Sequence, residues 1–163
     1  EQRNETTRFF SPAYIQLGVG VYWKKSNDFW INMAPVTGRL IIANKKFTSN
    51  LSDGEEYFGI SKGNTSRFEL GASLTGFYKF ELIENVILEQ SLSLYSDYLQ
   101  NAENIDIDYT ISAFMKINDY LSTSLIIQCR YDDNAVKKVQ LRQVFGLAVT
   151  LDLLEIPTLI SKI

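Results

Sequence analysis

The chain has 163 residues, enough for one domain with a full core, and sixteen Lys and Arg stand against nineteen Asp and Glu for a formal net charge of -3. Its basic residues are scattered among the acids, and the doublet Lys24-Lys25 beside a turn reads as a solvated strand end, so no nucleic-acid partner is expected. There is no histidine, which removes the usual general base and the commonest metal ligand, and the single Cys129 excludes an intrachain disulfide or a thiolate cluster.

Glu1 to Thr7 is polar and shows no apolar signal-peptide core, so the chain reads as mature after cleavage or as part of a longer polypeptide. From Ala13 to Lys24 the residues alternate. Ala13, Ile15, Leu17, Val19, Val21 and Trp23 fall on one face, and Tyr14, Gln16, Gly18, Gly20, Tyr22 and Lys24 on the other. A strand sends successive side chains to opposite sides, so this segment separates an apolar environment from a polar one. After a turn at 25–28, Phe29 to Asn44 is a second extended segment interrupted by Pro35-Val36-Thr37-Gly38, where a bulge, bend or hairpin is expected because proline cannot donate to a ladder. Residues 45–65 read as a long loop with a short ordered piece near Tyr57 to Ile60.

Four more alternating segments follow: Ser66 to Glu81, Val86 to Tyr98, Asn104 to Asn118 and Tyr120 to Asp132, and a last one runs from Val139 to Leu153. Asn104 to Asn118 shows the pattern best, with Ile105, Ile107, Tyr109, Ile111, Ala113, Met115 and Ile117 on one face. At about 3.3 Å per residue it would reach roughly 45 to 50 Å, well beyond an average strand. Phe77 breaks one polar face and Gln90 one apolar face; Cys129 sits in the apolar register as a small hydrophobe. No apolar run of 18 or more residues exists, so a membrane-spanning helix is excluded.

The connections alternate between short and long, which in outer-membrane barrels separates periplasmic turns from outer loops. That pattern makes 45–65 an extracellular loop and 154–163 a C-terminal periplasmic tail. It also starts the first strand outside, so seven strands need an odd number before them. The fold class expected is an all-β, antiparallel, up-and-down transmembrane β-barrel. Its seven or eight strands would form a single domain (1–163), or the C-terminal part of a barrel of about twelve strands. An eighth strand would come from a hairpin at Pro35 to Gly38, whose arms of about six residues are too short to span, or from a partial strand at Thr6 to Phe10.

Alternation alone leaves a soluble lipocalin-like barrel open, with apolar residues inside. Strand length favours the membrane, as do aromatics near strand ends: Trp23, Phe29 and Trp30 at one turn, Tyr78 and Phe80 at another, Tyr120 at a third, and Tyr98 and Tyr131 opposite. On this reading Arg67, Glu69, Glu89, Asp106, Arg130 and Arg142 face the lumen, together with Arg39, Lys79 and Lys116, as paired, selectivity or plug residues.

The strings Ser11-Pro12-Ala13-Tyr14, Ala34-Pro35-Val36-Thr37-Gly38-Arg39-Leu40, Arg67-Phe68-Glu69-Leu70-Gly71-Ala72, Asn104-Ile105-Asp106-Ile107-Asp108-Tyr109, Met115-Lys116-Ile117-Asn118-Asp119-Tyr120-Leu121-Ser122 and Tyr131-Asp132-Asp133 stand in this order. Over about 11–153 the chain resembles the C-terminal half of a Bacteroidota family of outer-membrane β-barrel proteins of unknown function. The resemblance implies a barrel with an aromatic-rich N-terminal half and no assigned activity. Members often end on an aromatic that closes the last strand, whereas this chain continues through 154–163.

The function expected is that of a non-enzymatic barrel in the bacterial outer membrane, a small-solute channel or a structural component of an envelope complex. Its partners would be outer-membrane lipid and either other envelope proteins or a missing N-terminal half. No catalytic, cofactor or metal residue is assigned. The enzyme alternative would rest on Asp106 and Asp108, which share a face about 7 Å apart; Asp132-Asp133 and Asp53-Glu55-Glu56 read as loop acids, with weak calcium binding the sharper option.

Overall fold

The computed structural model describes residues 8–150 except 101, 133 and 135. Its strands are β1 (Ala13–Lys24), β2 (Phe29–Ile42), β3 (Glu56–Tyr57), β4 (Ile60–Ser61), β5 (Ser66–Ile83), β6 (Val86–Asp97), β7 (Ile105–Lys116), β8 (Leu121–Asp132) and β9 (Val136–Val149), with one short helix, α1 (Lys45–Thr48). Seven of them form a single antiparallel meander in the order β1-β2-β5-β6-β7-β8-β9. Every long connection joins sequence neighbours, as consecutive alternating segments with short turns require. The sheet is open: β1 and β9 are its edges and do not pair with each other.

Alternation holds across the register. Leu17, Val19 and Val21 lie opposite Gly38, Val36 and Met33; Leu74 lies opposite Leu94, which lies opposite Ile107; Ile111 lies opposite Ile127. One face is therefore largely apolar across all seven strands, with Gln143 of β9, opposite Ile127, among its polar exceptions. Gln90 sits within it, and the Tyr109 hydroxyl donates to its Oε1 at 2.7 Å, which satisfies the polar intruder locally. The other face carries Arg39, Glu69, Asp106, Asp108, Gln128, Arg130 and Arg142.

β2 runs through Pro35 to Gly38 without a hairpin, so the eight-strand count from a turn there is not realised. The segment is a bulge. Between Val19 and Val21, and again between Ser73 and Gly71, β2 holds one residue more than its neighbour. The extra residue falls beside Pro35, which has no N–H to leave unpaired. Thr37 Oγ1 donates to Ala34 O at 3.0 Å and Tyr98 Oη to Pro35 O at 3.0 Å, so freed carbonyls are taken up by side chains. Glycines flank the bulge where backbones crowd: a Cβ at Gly20 would collide with the Met33 carbonyl, and one at Gly71 with the Ser96 carbonyl. Of the proposed strand Thr6 to Phe10, residues 6 and 7 lie outside the described set, and the Arg8–Ser11 pairing is an isolated bridge outside the named strands.

β7 has twelve residues where the alternation suggested fifteen. Asn118 ends it: its Oδ1 accepts from the amides of Tyr120 at 2.9 Å and Leu121 at 2.8 Å, and these bonds close the turn instead of extending the ladder. In the same turn Lys116 Nζ donates to Asp119 at 2.7 Å and holds that carboxyl below the ordinary carboxylate range. The contact is complete above the usual carboxylate pKa and is lost as pH falls through the depressed value. Lys116→Met is expected to return Asp119 to the ordinary range, read by an NMR pH titration of its side-chain carboxyl; an unchanged midpoint would assign the depression to something else. The last strand is described to Val149, and the tail 154–163 lies outside the described residues.

The loop between β2 and β5 is more ordered than its composition suggests. Asn44 caps α1 by accepting from Lys46 N, and Phe58 and Gly59, at φ 50° and 73°, make the tight turn of the β3–β4 hairpin. Ile41, Ala43 and Ile60 are buried there, with Tyr57 and Phe58 packed against them and Phe47 stacked on Tyr57 at 5.1 Å. Almost every other large apolar residue remains partly or wholly exposed: Leu17 is 81 % accessible, Phe145 71 % and Val149 67 %.

The sheet coils with its polar face inward. Arg39 on β2 meets Asp106 on β7 at 2.7 Å, three strands away. A cavity of about 200 Å3 is lined together by Tyr14 and Gln16 of β1 and by Arg130 and Asp132 of β8. On a flat sheet five inter-strand steps of about 4.8 Å would hold β1 and β8 about 24 Å apart, too far for one such cavity. The polar face is thus concave and the apolar face convex.

Candidate functional site

The long connections and the start of β1 gather at one end of the sheet, and there the concave face holds a dense charge network. Register explains its origin. Arg39 lies opposite Glu69, which places a cation and an anion side by side on adjacent strands, and Tyr95 lies opposite Asp106. Coiling then brings the β2 and β7 pairs into one cluster.

Glu69 is the centre, with a fully buried side chain. It faces Arg39 Nη1 at 3.4 Å and Arg67 Nε at 3.2 Å and accepts from Asn134 Nδ2 at 3.5 Å. A buried carboxylate is tolerated only when charges and donors surround it, and two guanidinium groups do so here. Arg39, 14 % exposed, divides itself between Glu69 and Asp106 and lies over the Tyr95 ring, 3.4 Å from its centroid, a cation–π contact.

Arg67 connects the network to the loops. It reaches Asp97 at 3.4 Å at the end of β6, donates to Asn134 Oδ1 at 3.3 Å between β8 and β9, and donates to Gly59 O at 3.1 Å in the β3–β4 turn. Gly59 has no side chain because Arg67 fills the space a Cβ would need. Beyond this hub, Arg130 pairs with Asp132 at 3.4 Å, and Gln128 Nε2 donates to both Asp108 oxygens at 2.9 and 3.0 Å. The two aspartates considered for acid–base work are therefore each held by a different partner.

Of the charges expected on the polar face, Arg67, Glu69 and Asp106 join one network, and Arg130 lines the adjoining cavity. Glu89 stands apart, paired with Lys79 at 3.1 Å, and Arg142 lies on the exposed edge strand opposite Gln128. Arg39 reads in the sequence as one polar-face charge among several, yet it is the residue that joins strands three apart. Asp97 and Tyr95 share the two-residue register of Glu89, Ser91 and Ser93, which places them on the polar face but names no partner, and Asn134 lies in a connection; only coiling brings the three together. Acids of the long loop have local partners: Asp53 pairs with Lys62 at 3.0 Å, and Glu55 accepts from Ser52 N at 3.0 Å. No three His, Cys, Asp or Glu side chains among the described residues converge as a metal site.

At the short-turn end the faces are aromatic. Trp23, Phe29, Tyr78 and Phe80 form a chain of ring contacts of 5.0 to 5.7 Å on the convex side. Trp30, grouped with them by sequence, alternates to the concave side, where it stacks on Phe77 at 6.0 Å and contacts Tyr22. That stacking accounts for Phe77 on a polar face.

Among the described residues the fold is all-β: an open, coiled seven-stranded antiparallel sheet, charged on its concave face and apolar on its convex face, with a small two-stranded hairpin beside it. No protein-family model matches this chain, and no curated protein or solved structure matches it either.

Proposed function

We propose that the chain forms the staves of a non-enzymatic β-barrel in a bacterial outer membrane, with lipid against its convex face. On this reading it is a structural component of an envelope complex, in line with its resemblance to the Bacteroidota barrel family. The observation that carries the reading is the sense of curvature. A soluble lipocalin-like barrel needs its apolar face inside, and here the concave face is the charged one. Dimensions agree: twelve residues at about 3.3 Å, tilted by about 40°, rise about 30 Å, slightly more than the ~25 Å apolar band of such barrels. The Trp23–Phe80 aromatic chain would lie at one interface.

The open edges belong to the same reading. Six antiparallel steps separate β1 from β9, so the two edges run in the same direction. Closure by antiparallel pairing takes an odd number of further strands between them, about five in a barrel of about twelve. Edges this long and exposed invite such pairing. The test is to express the protein with a secretion signal in a bacterium with an outer membrane. It should fractionate with that membrane, need detergent for extraction, and migrate on a gel with heat-modifiable mobility. A monodisperse protein in buffer without detergent would sink the proposal.

A further inference from the structure

We infer that the Arg39–Glu69–Arg67 network is a plug that closes the loop end of the barrel to ions and small solutes. The inference rests on the membrane-barrel reading and deepens it: the interior charges seal the barrel and do not line an open selectivity filter.

A filter presents charges to water, so that a passing ion exchanges its hydration shell for the ring. These charges face each other. Glu69 is wholly inaccessible, and the side chains of Asp97, Arg67, Arg39 and Asp106 are 8 %, 10 %, 14 % and 17 % exposed. Three features make a transverse barrier of them. Arg39 to Asp106 is a chord from β2 to β7, and Arg67 to Asn134 is a second chord from β5 to the connection between β8 and β9. The β3–β4 hairpin is tied to the same network, with Gly59 O accepting from Arg67 Nη1 at 3.1 Å and Ile60 buried against Ile41 of β2 and Ala43. An ion entering here would have to separate guanidinium–carboxylate pairs already removed from water, which is costly.

The test is conductance of the full-length protein in planar bilayers, with efflux from liposomes as a second readout and heat-modifiable mobility to establish insertion. Inserted wild type is expected to be silent, and Arg39→Ser with Arg67→Ser is expected to open discrete channels and raise efflux by at least about tenfold. Should that variant fail to fold, Asp106→Asn cuts one chord and leaves Glu69 paired, and it should raise efflux in the same direction. An inserted wild type that conducts overturns the plug and leaves the barrel standing. Inserted, folded variants that stay silent overturn it as well. Failure of the wild type to insert overturns the membrane reading itself, and the plug with it.

Discussion

Arg39→Met is expected to destabilise the protein by about 3 to 5 kcal/mol, because removing one partner from a buried ion pair leaves its counter-charge uncompensated. The loss comprises a 2.7 Å contact with Asp106, a 3.4 Å contact with Glu69 and the stack on Tyr95. Glu69 keeps Arg67 and Asn134, but its side chain has no access to water that would replace the lost guanidinium. For a chain of this size the shift in Tm is about 10 °C. Adding Glu69→Gln to the variant should recover part of the loss, since a neutral amide carries less desolvation penalty. Denaturant unfolding of the detergent-folded protein measures both. A cost below about 1 kcal/mol would mean that the pair behaves like an exposed surface bridge.

Gly71→Ala and Gly76→Ala, two alanines in the same strand, are expected to differ sharply. At Gly71 the new methyl would strike the Ser96 carbonyl and crowd the Asp97 Cα at 3.1 Å, and these backbone atoms cannot rotate away. The β5–β6 ladder must open beside the bulge, at a cost of about 3 kcal/mol or more. At Gly76 the methyl would rest 3.8 Å from Trp30 O and 3.9 Å from Ile31 Cγ1, ordinary contact distances. That change should be neutral or stabilising by about 0.5 kcal/mol, because alanine loses less backbone entropy than glycine. Equal behaviour at the two sites would contradict the close approach of β5 and β6 at Gly71. Gly20→Ala should resemble Gly71→Ala, since it meets the Met33 carbonyl on the other side of the same bulge.

Much of the fold is legible in the residues, and the reason is local. Alternation places Ile105 to Met115 on one face wherever the strand lies, and Asn118 and Asn85 mark turns through their own side-chain and backbone preferences. Pro35 marks an interruption because it lacks an N–H, although bulge and hairpin look alike until the partners on both sides are known. The candidate site was legible only as a set of polar-face charges. Arg39, Asp97 and Asn134 belong to segments 30 to 67 residues from their partners in Glu69 and Arg67, and no sequence spacing encodes such contacts.

By itself the sequence determined seven amphipathic segments, their two faces, and a meander with short and long connections at opposite ends. These follow from a two-residue period and from turn chemistry, which act between near neighbours. The tertiary structure decided which face is concave, how the β2 bulge is seated, and that Arg39 closes a chord to Asp106. Alternation is symmetric between the faces of a sheet. Only coiling, set by twist, the bulge and the glycines that accommodate it, breaks that symmetry and turns scattered charges into one buried network.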